Sequence, residues 1–112
     1  MPKYIKNLNH EEILKLSGQI NILPGQVVSK TLAQNDYVSM TLFGFDKNEE
    51  IGTHDSDGDA FVYIIDGAAK LTVDGREHIV KKGEVLIMPA NKPHSVYAAE
   101  QFKMLLIVVF PK

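Results

Sequence analysis

The sequence predicts one all-β domain over residues 1–112, a sandwich or small barrel entered through one short N-terminal helix. Two observations carry this expectation. From Val27 onward, seven or more short runs rich in β-branched and aromatic residues alternate with turn residues, the pattern of a closed or layered β fold. Among the turns, Asp74-Gly75 separates Leu71-Thr72-Val73 from Arg76–Val80. A two-residue loop of that composition joins antiparallel strands because both of its positions accept positive φ.

Taken in order, the elements begin with the helix. Asn9 can cap it, Glu12 can reach back to the cap, and Ile13, Leu14 and Leu16 supply an apolar face that ends by Gly18. Pro24-Gly25 then marks a turn. Val27–Ala33 and Tyr37–Phe45 read as strands joined by the hairpin-type loop Gln34-Asn35-Asp36. Phe61–Ile65 is a compact β run ended by Asp66-Gly67, Val85–Met88 is another stopped by Pro89, and His94–Ala98 and Met104–Phe110 complete the set. Phe61–Ile65 and Met104–Phe110 are apolar at every position, so both faces of each should be buried. A barrel wall buries only its inner face. The N-terminal helix, a second sheet or another subunit must cover the outer one, and a homodimer is the expectation.

Composition narrows the function classes. A chain of 112 residues without cysteine must hold its core by packing alone, with no disulfide and no thiolate metal site. Twelve Lys and Arg against fourteen Asp and Glu give a formal charge of −2, with no basic block, so nucleic acid is not an expected partner. No apolar run follows Lys3 and Lys6, which argues against a secretory signal, and Met104–Phe110 is too short to span a bilayer. The expected setting is therefore the cytoplasm, with no membrane partner. A glycine-rich phosphate loop, a Gly-x-Ser-x-Gly elbow and a cysteine nucleophile are all absent from the sequence. Glu49 and Glu50 are adjacent, which in a strand puts them on opposite faces and speaks against a paired-carboxylate site.

Two segments resemble the motifs of the cupin superfamily, the first Gly…His-x-His…Glu…Gly and the second Gly…Pro-x-Gly…His…Asn. His54 and Gly67 match the first motif at the family's spacing, with Asn48 in place of its leading Gly. Asn is a mild change there because it tolerates the left-handed conformation. Gly83, Pro89 and His94 match the second, with Asn91 replacing Gly and Ala98 replacing Asn. The resemblance covers about residues 36–110 and implies a small jelly-roll barrel.

In metal-binding cupins, two His and one Glu of the first motif join the His of the second around one divalent ion. Carried over, His54 and His94 are present, but Ser56 stands at the second His position and Ala60 at the Glu position. A stable site for iron, zinc, nickel or manganese wants three or four protein ligands. A third could come from Asp55, Asp57 or Asp59 if the Gly58 region swings a carboxylate inward, or from His78. Otherwise Asp55–Asp59 is a solvated turn. In the Asp74-Gly75 hairpin His78 pairs with Leu71 and shares a face with Val80, the position of an ordinary hydrogen-bonded core histidine.

Three functions fit these residues. The first is a small-molecule-binding cupin with a pocket lined by Met40, Val62, Ile64, Val96, His54, His78 and His94. The second is a metal-dependent dioxygenase or isomerase built on His54, His94 and a third ligand. The third is a non-catalytic dimeric scaffold in which the imidazoles are leftovers.

Overall fold

The computed structural model describes residues 4–111. Among these, eight strands form one strongly curled sheet: β1 (Val27–Gln34), β2 (Val38–Phe45), β3 (Glu50–His54), β4 (Asp59–Val73), β5 (Arg76–Lys81), β6 (Val85–Met88), β7 (His94–Tyr97) and β8 (Phe102–Val109). All pairings are antiparallel, and the order along the main path is β1-β2-β8-β4-β7-β3, with β5 and β6 also paired to β4.

The long strand β4 organises the barrel. Its first half pairs with β6 and β8, and its second half with β5 and β7. The sequence reading ends a strand at Asp66-Gly67, whereas the chain bends there and continues. The register shifts between Ile64 and Asp66, and Gly67 takes φ 72°, so one strand serves both walls. The Asp74-Gly75 hairpin forms as expected, with φ of 50° and 81° and Leu71 opposite His78. Asn48 and Asn91, both at family glycine positions, adopt φ of 71° and 63°.

The N-terminal helix is not formed. Only a 3-10 turn, Leu16–Gly18, remains of it. Glu11 has φ 55°, which breaks a helix, and Ile13, expected on the buried face, is 102% exposed. Tertiary contacts outweigh the weak local signal. The Lys6 amide donates to the Leu32 carbonyl at 2.8 Å and the Asn7 side chain donates to the Thr31 carbonyl at 2.7 Å, pinning the segment against β1. From this irregular arm Leu8, Leu16 and Ile20 pack on Leu32, Leu42 and Ile65, covering part of the outer sheet face. The main core lies inside the barrel, around Phe45, Val62, Ile64, Leu71, Phe102 and Met104. No helix among the described residues is long and apolar enough to cross a membrane.

Candidate functional site

Strands β3 and β7 bring the two motif histidines together. His54 closes β3 opposite His94, the first residue of β7, and the register of the pair is irregular between Ile51 and His54. That irregularity frees the Gly52 carbonyl, which lies 2.9 Å from Nδ1 of His54. The turn before β7 does the same for His94, placing the Lys92 carbonyl 3.1 Å from its Nδ1. The rings meet edge to face, with centroids 4.3 Å apart and the two Nε2 atoms 3.2 Å apart. His94 is 5% exposed whereas His54 is open to solvent.

The loops around the pair are tied to each other. The Asn91 amide donates to the Ser56 carbonyl at 2.7 Å, and the Ala90 amide donates to a carboxylate oxygen of Asp59 at 2.8 Å. Burial lowers the pKa of His94 from its usual 6.5. The hydrogen bond to the Lys92 carbonyl opposes that shift, the charge of His54 adds to it, and Asp55 opposes it.

Below the imidazoles lies a cavity of about 190 Å³. Ile51, Val96, Met88, Leu106, Val108 and Phe110 supply most of its wall, with Ala60 and Met104, and its polar side chains are His54, His94 and Ser56.

The structure disperses the other expected site residues. Val96 lines the cavity; Val62 and Ile64 face inward but are packed in the core, outside its wall. Met40 lies on the opposite face of the sheet, packed against the outer cluster. The cause is parity: Met40 pairs with Ile107, whereas the cavity takes Leu106 and Val108 from that strand. His78 is half-buried on β5 opposite Leu71 and does not reach the imidazole pair. Asp59 spends a carboxylate oxygen on the Ala90 amide, Asp57 lines shallow outer clefts, and Asp55 is exposed. Among the wall residues that sequence reasoning missed are Met88, Leu106 and Val108. Their strand pairings show the link, since Ala60 at the family's Glu position sits opposite both Met88 and Val108.

The donor set does not fit the family's four-ligand divalent ion. Two imidazoles are placed and braced as half of such a site, each with its second nitrogen held by a carbonyl. No group of three or more His, Cys, Asp or Glu side chains among the described residues is arranged to hold a metal. Ser56 and Ala60 occupy the two remaining ligand positions. Ala60 has no donor atom, and the Ser56 hydroxyl accepts a 3.2 Å hydrogen bond from the Gly58 amide.

A strongly curled antiparallel sheet with paired histidines at one end defines the class of protein, and comparison with known proteins gives the family. The cupin domain family matches residues 41–110, and the chain belongs to that family. A conserved protein of unknown function from Streptococcus pyogenes is 42% identical, with 99% of this chain and 97% of that one covered at a TM-score of 0.97. A cupin superfamily protein from Desulfitobacterium hafniense is 35% identical over 95% of this chain and 97% of its own, at a TM-score of 0.90. A cupin 2 conserved barrel domain protein from Leptotrichia buccalis is 43% identical over 86% of this chain, which spans 47% of that one, at a TM-score of 0.84. No match was found among curated proteins.

Proposed function

We propose that this cupin binds a small molecule in the cavity beneath His54 and His94, and that it does so without a divalent metal. The observation that carries the reading is the cavity itself: a partly open, apolar-walled space of about 190 Å³ ending in two convergent imidazoles. Ligand sites take this form, apolar walls for affinity and a few polar groups for orientation. An apolar cavity of about 150 Å³ in another protein stays dry and takes up benzene, so a body of one six-membered ring fits here. The enzyme reading needs a third strong ligand, and the positions of Asp55, Asp57, Asp59 and His78 supply none.

The test is occupancy of the void. Ala60 is 3% exposed and lines it, so Ala60→Leu puts three further carbons into the space. Wild-type protein is expected to bind benzene or toluene saturably by ligand-observed NMR, and Ala60→Leu to lose that binding while remaining folded. Equal binding by both proteins would place the ligand elsewhere and end the reading.

We also propose that a second copy of the chain covers the remaining outer face. The N-terminal arm covers the β1–β2 side, but Val85, Ile87 and Val109 stay 44%, 51% and 56% exposed. They lie beside half-buried Phe61 and Ile107 on the outer face of β4, β6 and β8. These five side chains carry no charge, so the strip offers nothing to a charged partner and is complementary to itself about a two-fold axis. Light scattering is expected to give a dimer for the wild type and a monomer for Ile87→Glu. A wild-type monomer at micromolar concentration would rule the pairing out.

A further inference from the structure

Phe110 lies one residue beyond the end of β8, yet it is half-buried. Strand alternation gives the reason: Leu106 and Val108 face the cavity, Val109 faces solvent, and Phe110 turns inward again. Its side chain packs against the main core and completes the cavity wall at that end of the sheet. Phe110 also borders two shallow outer clefts of about 220 Å³ each, one beside Asn35, Asp36 and Asp57, the other beside Asp59, Ala90 and Pro111. Among the described residues, no other member of the cavity wall lines either cleft. The cavity and the outer clefts therefore meet at this one side chain.

The ring is held from both sides. Gly58 is buried, and a Cβ on it would stand 2.7 Å from Cγ1 of Val108, 2.7 Å from the Val109 carbonyl oxygen and 3.1 Å from Cδ1 of Phe110. Lacking a Cβ, it lets the segment before β4 lie flat against the ring. That segment is itself fastened, since the Ser56 carbonyl accepts from the Asn91 amide and the Asp59 carboxylate accepts from the Ala90 amide. The Phe110 amide donates to the Tyr37 carbonyl at 3.0 Å, which fixes the backbone that carries the ring. A side chain so packed acts as a wall, because displacing it would open voids against Gly58 and the core.

We propose that Phe110 is the residue that limits ligand size: its ring is the partition that confines the bound body to about one six-membered ring. The inference rests on the binding reading above. A longer apolar ligand in the wild-type cavity either overlaps the Phe110 ring or leaves its extra carbons in water, where they add no burial to the binding energy. Phe110→Ala removes six ring carbons, more than the four by which naphthalene exceeds benzene. It also joins the cavity to the clefts, so a second ring gains a place beside the first.

The experiment measures benzene and naphthalene binding by ligand-observed NMR. The proteins are the wild type, Phe110→Ala, Phe110→Val and the double variant Ala60→Leu/Phe110→Ala. The wild type is expected to bind benzene and to bind naphthalene no more tightly. Phe110→Ala is expected to bind naphthalene about tenfold or more tightly than the wild type does, the scale on which a few buried carbons are discriminated. Phe110→Val, which keeps a branched apolar side chain at the strand end, should show a smaller gain and carries the test if Phe110→Ala does not fold. Ala60→Leu in the Phe110→Ala background is expected to abolish the gain, because it fills the inner half of the joined space. A purely structural role for Phe110 would instead weaken both ligands together. Wild-type preference for naphthalene, folded variants without a gain, or a gain that survives Ala60→Leu would each overturn the partition. The cavity reading stands through those outcomes as long as the wild type binds benzene, and a wild type that binds neither ligand removes both.

Discussion

Phe102→Ala is expected to remove about 3–5 kcal/mol of folding stability, the range for deleting a fully buried aromatic side chain. Phe102 is 0% exposed and stacks on Phe45, with ring centroids 4.5 Å apart and planes 13° apart. It opens β8 at a junction of three strands, opposite Phe45 on β2 and Gly67 on β4. Alanine there leaves a void that neither neighbouring strand can close without losing its pairing, so the cavity penalty adds to the lost transfer energy. A domain of this size holds about 5–15 kcal/mol in total, so the loss is a large share of it. Urea denaturation should show a lower midpoint at an unchanged slope. Ile13→Ala, on a side chain fully open to solvent, should stay within about 0.5 kcal/mol. A loss below about 1.5 kcal/mol at Phe102 would show that the core refills the gap, contrary to the packing described.

The contrast between Phe102 and Ile13 also marks what the sequence disclosed. Strands were legible where apolar runs met strong turn residues, as at Leu71–Val80, and the two-residue hairpin specified the Leu71–His78 pairing. Motif spacing brought out His54 and His94 because the family keeps anchors at those separations. Other features depended on tertiary contacts. Strand β3 is exposed at four of its five positions, so it shows no apolar alternation to read. The Asn9–Gly18 helix had plausible caps, but the arm gains more by laying Leu8, Leu16 and Ile20 on the sheet than by forming one turn after another. On β8 every residue from Met104 to Val109 is apolar, which erases the parity that would tell cavity from outer face. Met40 faces the other way for a different reason: β2 carries no motif position against which its parity could be set. The bracing of the imidazole pair was equally out of reach, since it depends on where the Gly52 and Lys92 carbonyls point.

Gly67→Ala is expected to destabilise the protein by about 3 kcal/mol or more, through backbone strain and a close approach acting together. At φ 72° an alanine adopts a left-handed conformation, which alone costs about 1–2 kcal/mol. A Cβ placed there would also stand 2.2 Å from the Gln101 carbonyl oxygen and 3.0 Å from Cα of Phe102. Those are backbone atoms at the start of β8, and they cannot retreat without breaking the Gly67–Phe102 register. Gly75 supplies the control. Its φ is 81°, yet a Cβ there meets nothing within 4 Å, so Gly75→Ala should cost only the conformational part, about 1–2 kcal/mol. Denaturation of both variants therefore separates the two effects. Equal losses would mean that the β8 backbone yields at little cost and that the bend in β4 is held by φ alone. A clearly larger loss at Gly67 would mean that the bend depends on contact with β8. Because the second half of β4 pairs with β7, which opens on His94, shifting the bend should also disturb the imidazole pair and weaken binding in the cavity.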